Sequence, residues 1–181
     1  GFAPGQKYVV SFGIVTASKA IDTVLASFAL LREAYDAHLI FAGPAEHDAR
    51  SAVAAKGLDA HVTFTGFLVE PAYRAHLLAA DVGLQLRQGG PGNISGALQD
   101  CIAAGLPSVA NADLADNLSA PGYITRIADT LDPQEVATAL LTRLSTRLST
   151  EVARQAYAET NSMERYAIRL LGLLGLSQIR P

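Results

Sequence analysis

The sequence predicts a three-layer α/β domain, with a parallel sheet of about six strands and helices on both faces. Three observations predict it. Short β-branched runs alternate along the chain with segments whose apolar residues recur at helical spacing. The 181 residues fit a single domain, 1–181, long enough for a real core. The chain is 50% hydrophobic and only 17% charged, which excludes disorder and leaves less polar surface than such a domain usually shows. One reading is that part of its surface normally meets something else.

The elements follow in order. Tyr8-Val9-Val10-Ser11-Phe12 is short, β-branched and stopped by Gly13, a buried strand. Ile21, Val24, Leu25, Phe28 and Leu31 recur at helical spacing over about 16 residues. Leu39-Ile40-Phe41-Ala42, closed by Gly43-Pro44, is a second strand. Glu46 to Lys56 reads as an exposed helix ended by Gly57, and Val62-Thr63-Phe64 as a third strand closed by Gly66. Residues 70–79 form a short helix, and Val82 to Leu86 a fourth strand. A glycine-rich loop from Gln88 to Asn93 leads into a helix that ends at Ala104, with Gly105 where a left-handed residue is needed. Leu106 to Ala110 and Tyr123 to Ile127 are the last strands. Asp132-Pro133-Gln134-Glu135 starts a helix: Asp caps, Pro fits the first turn, Glu completes the box. From there to Leu176 the chain reads as helix in two or three pieces, restarting at Asn161 with Glu164. The Thr-Arg-Leu-Ser repeat at 142–149 reads as a solvated helical face without chemistry.

Several function classes fall away. With 14 Lys+Arg against 17 Asp+Glu and a net charge of −3, no basic excess exists to neutralise nucleic acid or an anionic membrane surface. One cysteine, Cys101, excludes an intrachain disulfide and a cysteine-rich zinc site, and reads as a packed small residue. His38, His47, His61 and His76 show no metal-ligand spacing and no nucleophile turn, so no metal site is expected. His38 and His61 each stand just before a strand, on the side away from the expected site. Apolar runs stay short of the roughly 18 residues of a membrane span. The Gly1-Phe2-Ala3-Pro4-Gly5 start reads as a linker or boundary rather than a leader, and the default compartment is cytosolic.

In a parallel sheet ligands bind at the carboxyl ends of the strands. The loop after the first strand holds Gly13, for a tight turn, and Lys19, at or near a helix N-terminus where an anion is favoured. The loop from Arg87 to Gly96 leaves many backbone N–H groups bare and leads into a helix near Ser95, a cradle for an anion or polar ligand. It is neither a Walker loop nor a dinucleotide fingerprint. Asp100, inside an apolar helical stretch, must be paired, exposed or bound to a ligand, and a carboxylate suits vicinal hydroxyls such as those of a ribose. No compelling general base is visible.

The order Gly13, Lys19-Ala20-Ile21-Asp22, Phe41-Ala42-Gly43-Pro44, Val62-Thr63-Phe64-Thr65-Gly66-Phe67, Ala80-Asp81-Val82, Gly92-Asn93-Ile94-Ser95-Gly96 and Ala103-Ala104-Gly105-Leu106-Pro107 carries a resemblance. From about residue 7 to 174 the chain resembles the C-terminal, donor-binding domain of a two-domain GT-B glycosyltransferase of family 4 (group 1), a Rossmann-like domain. The tail Asn161 to Tyr166 is similar to that family's closing helix.

The resemblance implies a nucleotide-diphosphate sugar, UDP- or GDP-linked, as donor substrate, with no permanently bound cofactor and no metal. Carried over by position, Lys19 meets the diphosphate, beside Gly13, and Gly66 and Phe67 lie against the nucleobase. Ile94, Ser95 and Gly96 offer backbone groups to phosphate or sugar, Asp100 holds the ribose hydroxyls, and Asn93 stands where a Glu usually touches the donor sugar. Lys19 and Asn93 are the implied catalytic positions. The implied partners are an N-terminal acceptor domain of the same polypeptide and a glycan or lipid-linked acceptor. The implied setting is bacterial polysaccharide or glycolipid assembly in the cytoplasm, peripheral to the membrane through the other half, with retaining chemistry and a fragment inactive alone.

Ile14 replaces the family's Arg after the first glycine, Asn93 and Asp100 replace its two Glu residues, and Ala20 replaces the Gly after its Lys. These departures favour an alternative, a non-catalytic nucleotide-sugar-binding or interaction module. An unrelated flavodoxin-like binding domain is the third reading.

Overall fold

The computed structural model describes residues 2–89, 92, 94–146 and 148–176. Six strands form one sheet: β1 (Lys7–Phe12), β2 (Ala37–Ala42), β3 (Val62–Phe64), β4 (Val82–Gln85), β5 (Ser108–Asn111) and β6 (Ile124–Ile127). Their order is β3-β2-β1-β4-β5-β6, and every neighbouring pair is parallel. The helices are α1 (Ile21–Arg32), α2 (His47–Ala55), α3 (Glu70–Ala79), α4 (Gly96–Ala104), α5 (Ala112–Asn117), α6 (Pro133–Ser145), α7 (Glu151–Thr160) and α8 (Met163–Leu173). This is the three-layer, Rossmann-like α/β architecture expected from the alternation of patterns.

Side-chain alternation along the strands sorts the core into two layers. Val9, Leu39 and Phe41 pack with Val24, Leu25, Phe28 and Leu31 of α1 and with Val136 and Leu140 of α6. Val10, Phe12 and Ile40 face the other way, onto Leu77 of α3 and Cys101 of α4. Beyond them Leu98 and Ile102 of α4 join Leu114 of α5 and Tyr123. Burying a side chain of Leu or Phe size stabilises by about 1.5–3 kcal/mol, so these two layers carry the fold.

Some boundaries differ from expectation, each for a local reason. α1 has 12 residues, because the chain turns where the N–H groups of Ala34 and Tyr35 both close on the Leu31 carbonyl. β5 begins at Ser108 rather than Leu106: Pro107 has no N–H for the ladder, and only its carbonyl serves, accepting from Gly83. The short α5 follows β5 directly and has no counterpart in the sequence pattern. The repeat at 142–149 does not stay helical. α6 ends at Ser145, Thr146 is extended, and Leu148 turns inward to pack near Tyr157 (Arg147 lies outside the described residues). The side chains of Thr138, Thr142 and Ser145 all donate back to carbonyls four residues earlier, which weakens that last turn. The final helix restarts on Ser162, whose hydroxyl accepts from Arg165 N, while Asn161 bonds back to Tyr157.

Candidate functional site

Strand order reverses at β1, which lies between β2 and β4. The crossovers after β1 and β4 therefore leave in opposite directions and open a crevice at their carboxyl ends, the usual ligand site of such sheets. The loop after β1 is fixed on both sides. Toward β2, Gly13 N donates to Ala42 O (3.1 Å) and Val15 N to Pro44 O (2.8 Å). A Cβ on Gly43 would stand 2.3 Å from Gly13 O, so this approach of two backbones requires glycine. Toward β4, Gln88 N donates to Ser18 O (2.8 Å), which ties the two candidate loops together.

Lys19 ends a 3-10 turn, Ala17–Lys19; Ala20 follows in a left-handed conformation (φ 50°) and α1 starts at Ile21. Lys19 stands beside a helix start, as its position in the sequence predicts. It is only 3% exposed. Its Nζ donates to Phe12 O (2.5 Å) and to Gln85 Oε1 (3.0 Å), both neutral acceptors. Burial, with the Arg87 guanidinium as the next cause, pulls its pKa down to about 8 against the small opposing effect of Cys101. A buried ammonium held only by neutral groups is held at a cost, and an anion would relieve it. Gly13 stands alongside: a Cβ there would lie 3.9 Å from Lys19 Nζ.

Three residues at this edge escaped the sequence reading. Gln85, buried on β4, receives Lys19 and reaches toward Cys101 Sγ (4.0 Å). Arg87 follows β4, half-buried, with its Nε buried and without a hydrogen-bond partner. Asn111, at the end of β5, clamps the Arg87 backbone: Arg87 N donates to Oδ1 (2.8 Å), and Nδ2 donates to Arg87 O (3.0 Å). Among the described residues no carboxylate forms an ion pair with Lys19 or Arg87. The available signals were the position of Arg87 at a strand's carboxyl end and a polar Gln inside an apolar strand.

The N-terminus of α4 opens from the same edge. Ser95 is its cap: the buried hydroxyl accepts from Leu98 N (3.2 Å), which leaves backbone groups for any ligand. Gly96 is exposed, with open space where a Cβ would be. Ile94 is 67% exposed. Asn93, with Gly90 and Pro91, lies outside the described residues. Gly66 takes a left-handed turn after β3 (φ +70°), and Phe67 beyond it is 81% exposed. Ile14, Phe67 and Ile94 thus form exposed apolar groups on loops along one edge of the sheet.

Asp100 meets two of the conditions set for it: it is exposed, and it is paired, its Oδ2 accepting from Tyr73 Oη (2.8 Å). Tyr73, on α3, sets its ring edge against Phe12 at 5.3 Å, which links Asp100 to the strand whose last carbonyl holds Lys19. Burial, then the Asp100 hydrogen bond, pushes the Tyr73 phenol up. Asp100 also opens on a groove of about 490 Å³ between α3, α4 and α7, lined by Arg74, Leu77 and Arg154 among others and containing none of the other predicted site residues.

Several of the remaining candidates make contacts within the fold. Cys101 is fully buried, and burial pushes its thiol up to about 12. His38 lies within β2, not before it, and its Nε2 pairs with Thr63 Oγ1 (2.8 Å). His61 closes a 3-10 turn before β3, and His76 Nδ1 pairs with Ala72 O (2.7 Å). The His47 side chain lies outside the described residues. Asp81 works at the opposite edge, taking Lys7 Nζ (2.9 Å) and Tyr8 N (2.8 Å). Among the described residues no group of His, Cys, Asp or Glu could hold a metal, and no helix is long and apolar enough to cross a membrane.

No curated protein matches the sequence. Solved structures do match. HepE from Anabaena, in complex with UDP and glucose, superposes with a TM-score of 0.72 at 17% identity, covering 97% of this chain and 49% of its own. A point mutant of S. aureus TarM, in complex with fondaparinux, alpha-GlcNAc-glycerol and UDP, gives 0.75 at 15% identity, covering 96% and 36%. The N-terminal domain of Candida albicans trehalose-6-phosphate phosphatase gives 0.72 at 13%, covering 97% and 43%. The chain therefore spans less than half the length of each of these relatives. The model of the family "Glycosyl transferases group 1" matches residues 6–146, most of the chain, and with the six-stranded parallel fold it shows that this chain belongs to the group 1 glycosyl transferases, as a domain of the GT-B kind.

Proposed function

We propose that the chain is the C-terminal, nucleotide-diphosphate-sugar-binding half of a two-domain glycosyltransferase. The observation that carries this reading is Lys19, a buried ammonium beneath the β1–β4 crevice with the α4 N-terminus opening from the same edge. A cation and a helix N-terminus suit a diphosphate. Gly13 gives it room, Ile94, Ser95 and Gly96 offer backbone groups, Phe67 with Gly66 offers an apolar face to the base, and Asp100 takes ribose hydroxyls. Asn93 is assigned to the donor sugar, completing the catalytic pair with Lys19. UDP- or GDP-sugars are the donors, consistent with the UDP in the HepE and TarM complexes.

The mechanism is electrostatic. As the bond between the sugar's anomeric carbon and the phosphate oxygen breaks, the electron pair leaves on the diphosphate, and Lys19 with the α4 N–H groups stabilises that charge. Configuration is retained. An N-terminal domain of the same polypeptide supplies the glycan or lipid-linked acceptor, so the 181 residues bind donor but do not turn over alone. Coverage of 36–49% of the relatives supports this division. So does α8, where Met163, Tyr166, Leu170 and Leu173 recur at helical spacing and are all exposed. The setting is cytoplasmic assembly of a bacterial surface polysaccharide or glycolipid, against the membrane through the other half.

A second reading, a non-catalytic nucleotide-sugar module, is favoured by Ile14 and Asn93 standing where the family has Arg and Glu. Titration with UDP-, GDP- and ADP-sugars tests both, and no binding at millimolar concentration contradicts both. Turnover by the full-length protein, abolished by Lys19→Ala, separates enzyme from module.

A further inference from the structure

We infer that Arg87 is a second phosphate-binding cation of this site, set in place by Asn111 to share the donor diphosphate with Lys19; this rests on the nucleotide-sugar reading above.

The donor count of Lys19 is the first argument. An ammonium has three N–H groups, and Lys19 commits two of them, to Phe12 O and Gln85 Oε1. One N–H remains for a ligand that presents many acceptor oxygens and more than one negative charge. Arg87 supplies what is lacking, a planar fork suited to paired phosphate oxygens.

Its placement is the second argument. Arg87 and Gln85 both belong to the β4 end that receives Lys19, and Gln88 N closes on Ser18 O in the Lys19 loop (2.8 Å). The Arg87 backbone is held from β5 by both polar atoms of the buried Asn111 side chain, so its direction is fixed before a ligand arrives. Such a clamp on one loop residue is pre-organisation of the kind that lowers the entropic cost of binding.

The third argument is what Arg87 lacks. Its Nε is buried and unpartnered, and no carboxylate of the described residues ion-pairs with it or with Lys19. Burial is the main cause of the lowered Lys19 pKa, and the unopposed charge of Arg87 is the second. An anion shared by the two cations would offset both the burial cost and that repulsion. Ile14, exposed on the β1 side of the crevice, brings no charge, so the second cation enters from β4 instead.

The test is calorimetric titration of the chain with UDP and with inorganic pyrophosphate, for wild type, Lys19→Met, Arg87→Gln and Arg87→Lys, with thermal unfolding of each as a folding control. Arg87→Gln is expected to weaken both ligands at least tenfold, and Arg87→Lys to recover part of that loss. If Lys19→Met loses both ligands while Arg87→Gln binds like wild type, the donor reading stands and this inference falls. If Arg87→Lys recovers nothing, the charge role is overturned. If wild type binds neither UDP nor pyrophosphate at millimolar concentration, the donor reading and this inference fall together.

Discussion

Asn111 and Arg87 are joined by two hydrogen bonds between one side chain and one backbone, at 2.8 and 3.0 Å, across the ends of β5 and β4. An amide side chain here takes the place of a further ladder residue and holds the loop after β4 in a single direction. Asn111→Ala leaves the Arg87 N–H and C=O without these partners. Urea denaturation is expected to show a loss of about 1–3 kcal/mol. A loss below about 0.5 kcal/mol would mean that solvent replaces the clamp freely.

The Lys19 ammonium gives stability a pH dependence with a defined sign. Its pKa falls from 10.5 to about 8 on folding. Between these values the unfolded chain binds more protons than the folded one, so folding stability rises with pH across that window. Below pH 8 the buried charge is a standing cost. Wild type is therefore expected to gain stability relative to Lys19→Met from pH 8 to 10.5, by up to about 3 kcal/mol. Parallel pH profiles of the two proteins would contradict the burial of the charge.

Ala20 occupies a left-handed conformation at φ 50°, between the Lys19 turn and α1. That conformation costs a residue with a Cβ about 1–2 kcal/mol, part of which glycine's larger unfolded-state entropy cancels. Ala20→Gly relieves that strain but also removes a buried core methyl, worth about 0.8 kcal/mol, so the terms nearly cancel and urea melts are expected to shift by less than about 1 kcal/mol.

Asp100 is exposed and holds one hydrogen bond, from Tyr73, so its removal disturbs little of the fold. If its carboxylate takes ribose hydroxyls, Asp100→Ala weakens UDP by about tenfold, in line with the roughly 1.5–3 kcal/mol of a charged hydrogen bond. The same variant should bind 2′,3′-dideoxy-UDP as wild type does. Equal losses for both nucleotides would remove Asp100 from the ribose role.

The fold was legible because each strand and most helices announce themselves locally, by β-branched runs, helical spacing and caps such as Asp132-Pro133. α5 was not: Ala112–Asn117 is too short to show a period, and its burial of Leu114 and Ala115 comes from packing alone. Lys19 stood out as a candidate because the cation lies next to a helix start in sequence. Its burial did not, since that depends on Gln85, 66 residues away. Arg87 and Asn111 are 24 residues apart and belong to one unit only once β4 and β5 pair. Tyr73 meets Asp100 only because α3 packs on α4. Pairwise positioning across the sheet is tertiary information, and it is where the sequence reading stopped.

The donor reading places a nucleotide diphosphate at Lys19. Calorimetric titration of UDP at pH 7 and at pH 9, for wild type and Lys19→Met, tests it most directly. An anion beside Lys19 raises its pKa again, so binding above pH 8 takes up a proton and affinity falls as pH rises. Wild type is expected to bind measurably at pH 7 and more weakly at pH 9, and Lys19→Met to bind at least tenfold more weakly at pH 7. Equal affinity of the two proteins at pH 7, or no binding by wild type at millimolar UDP, would contradict it.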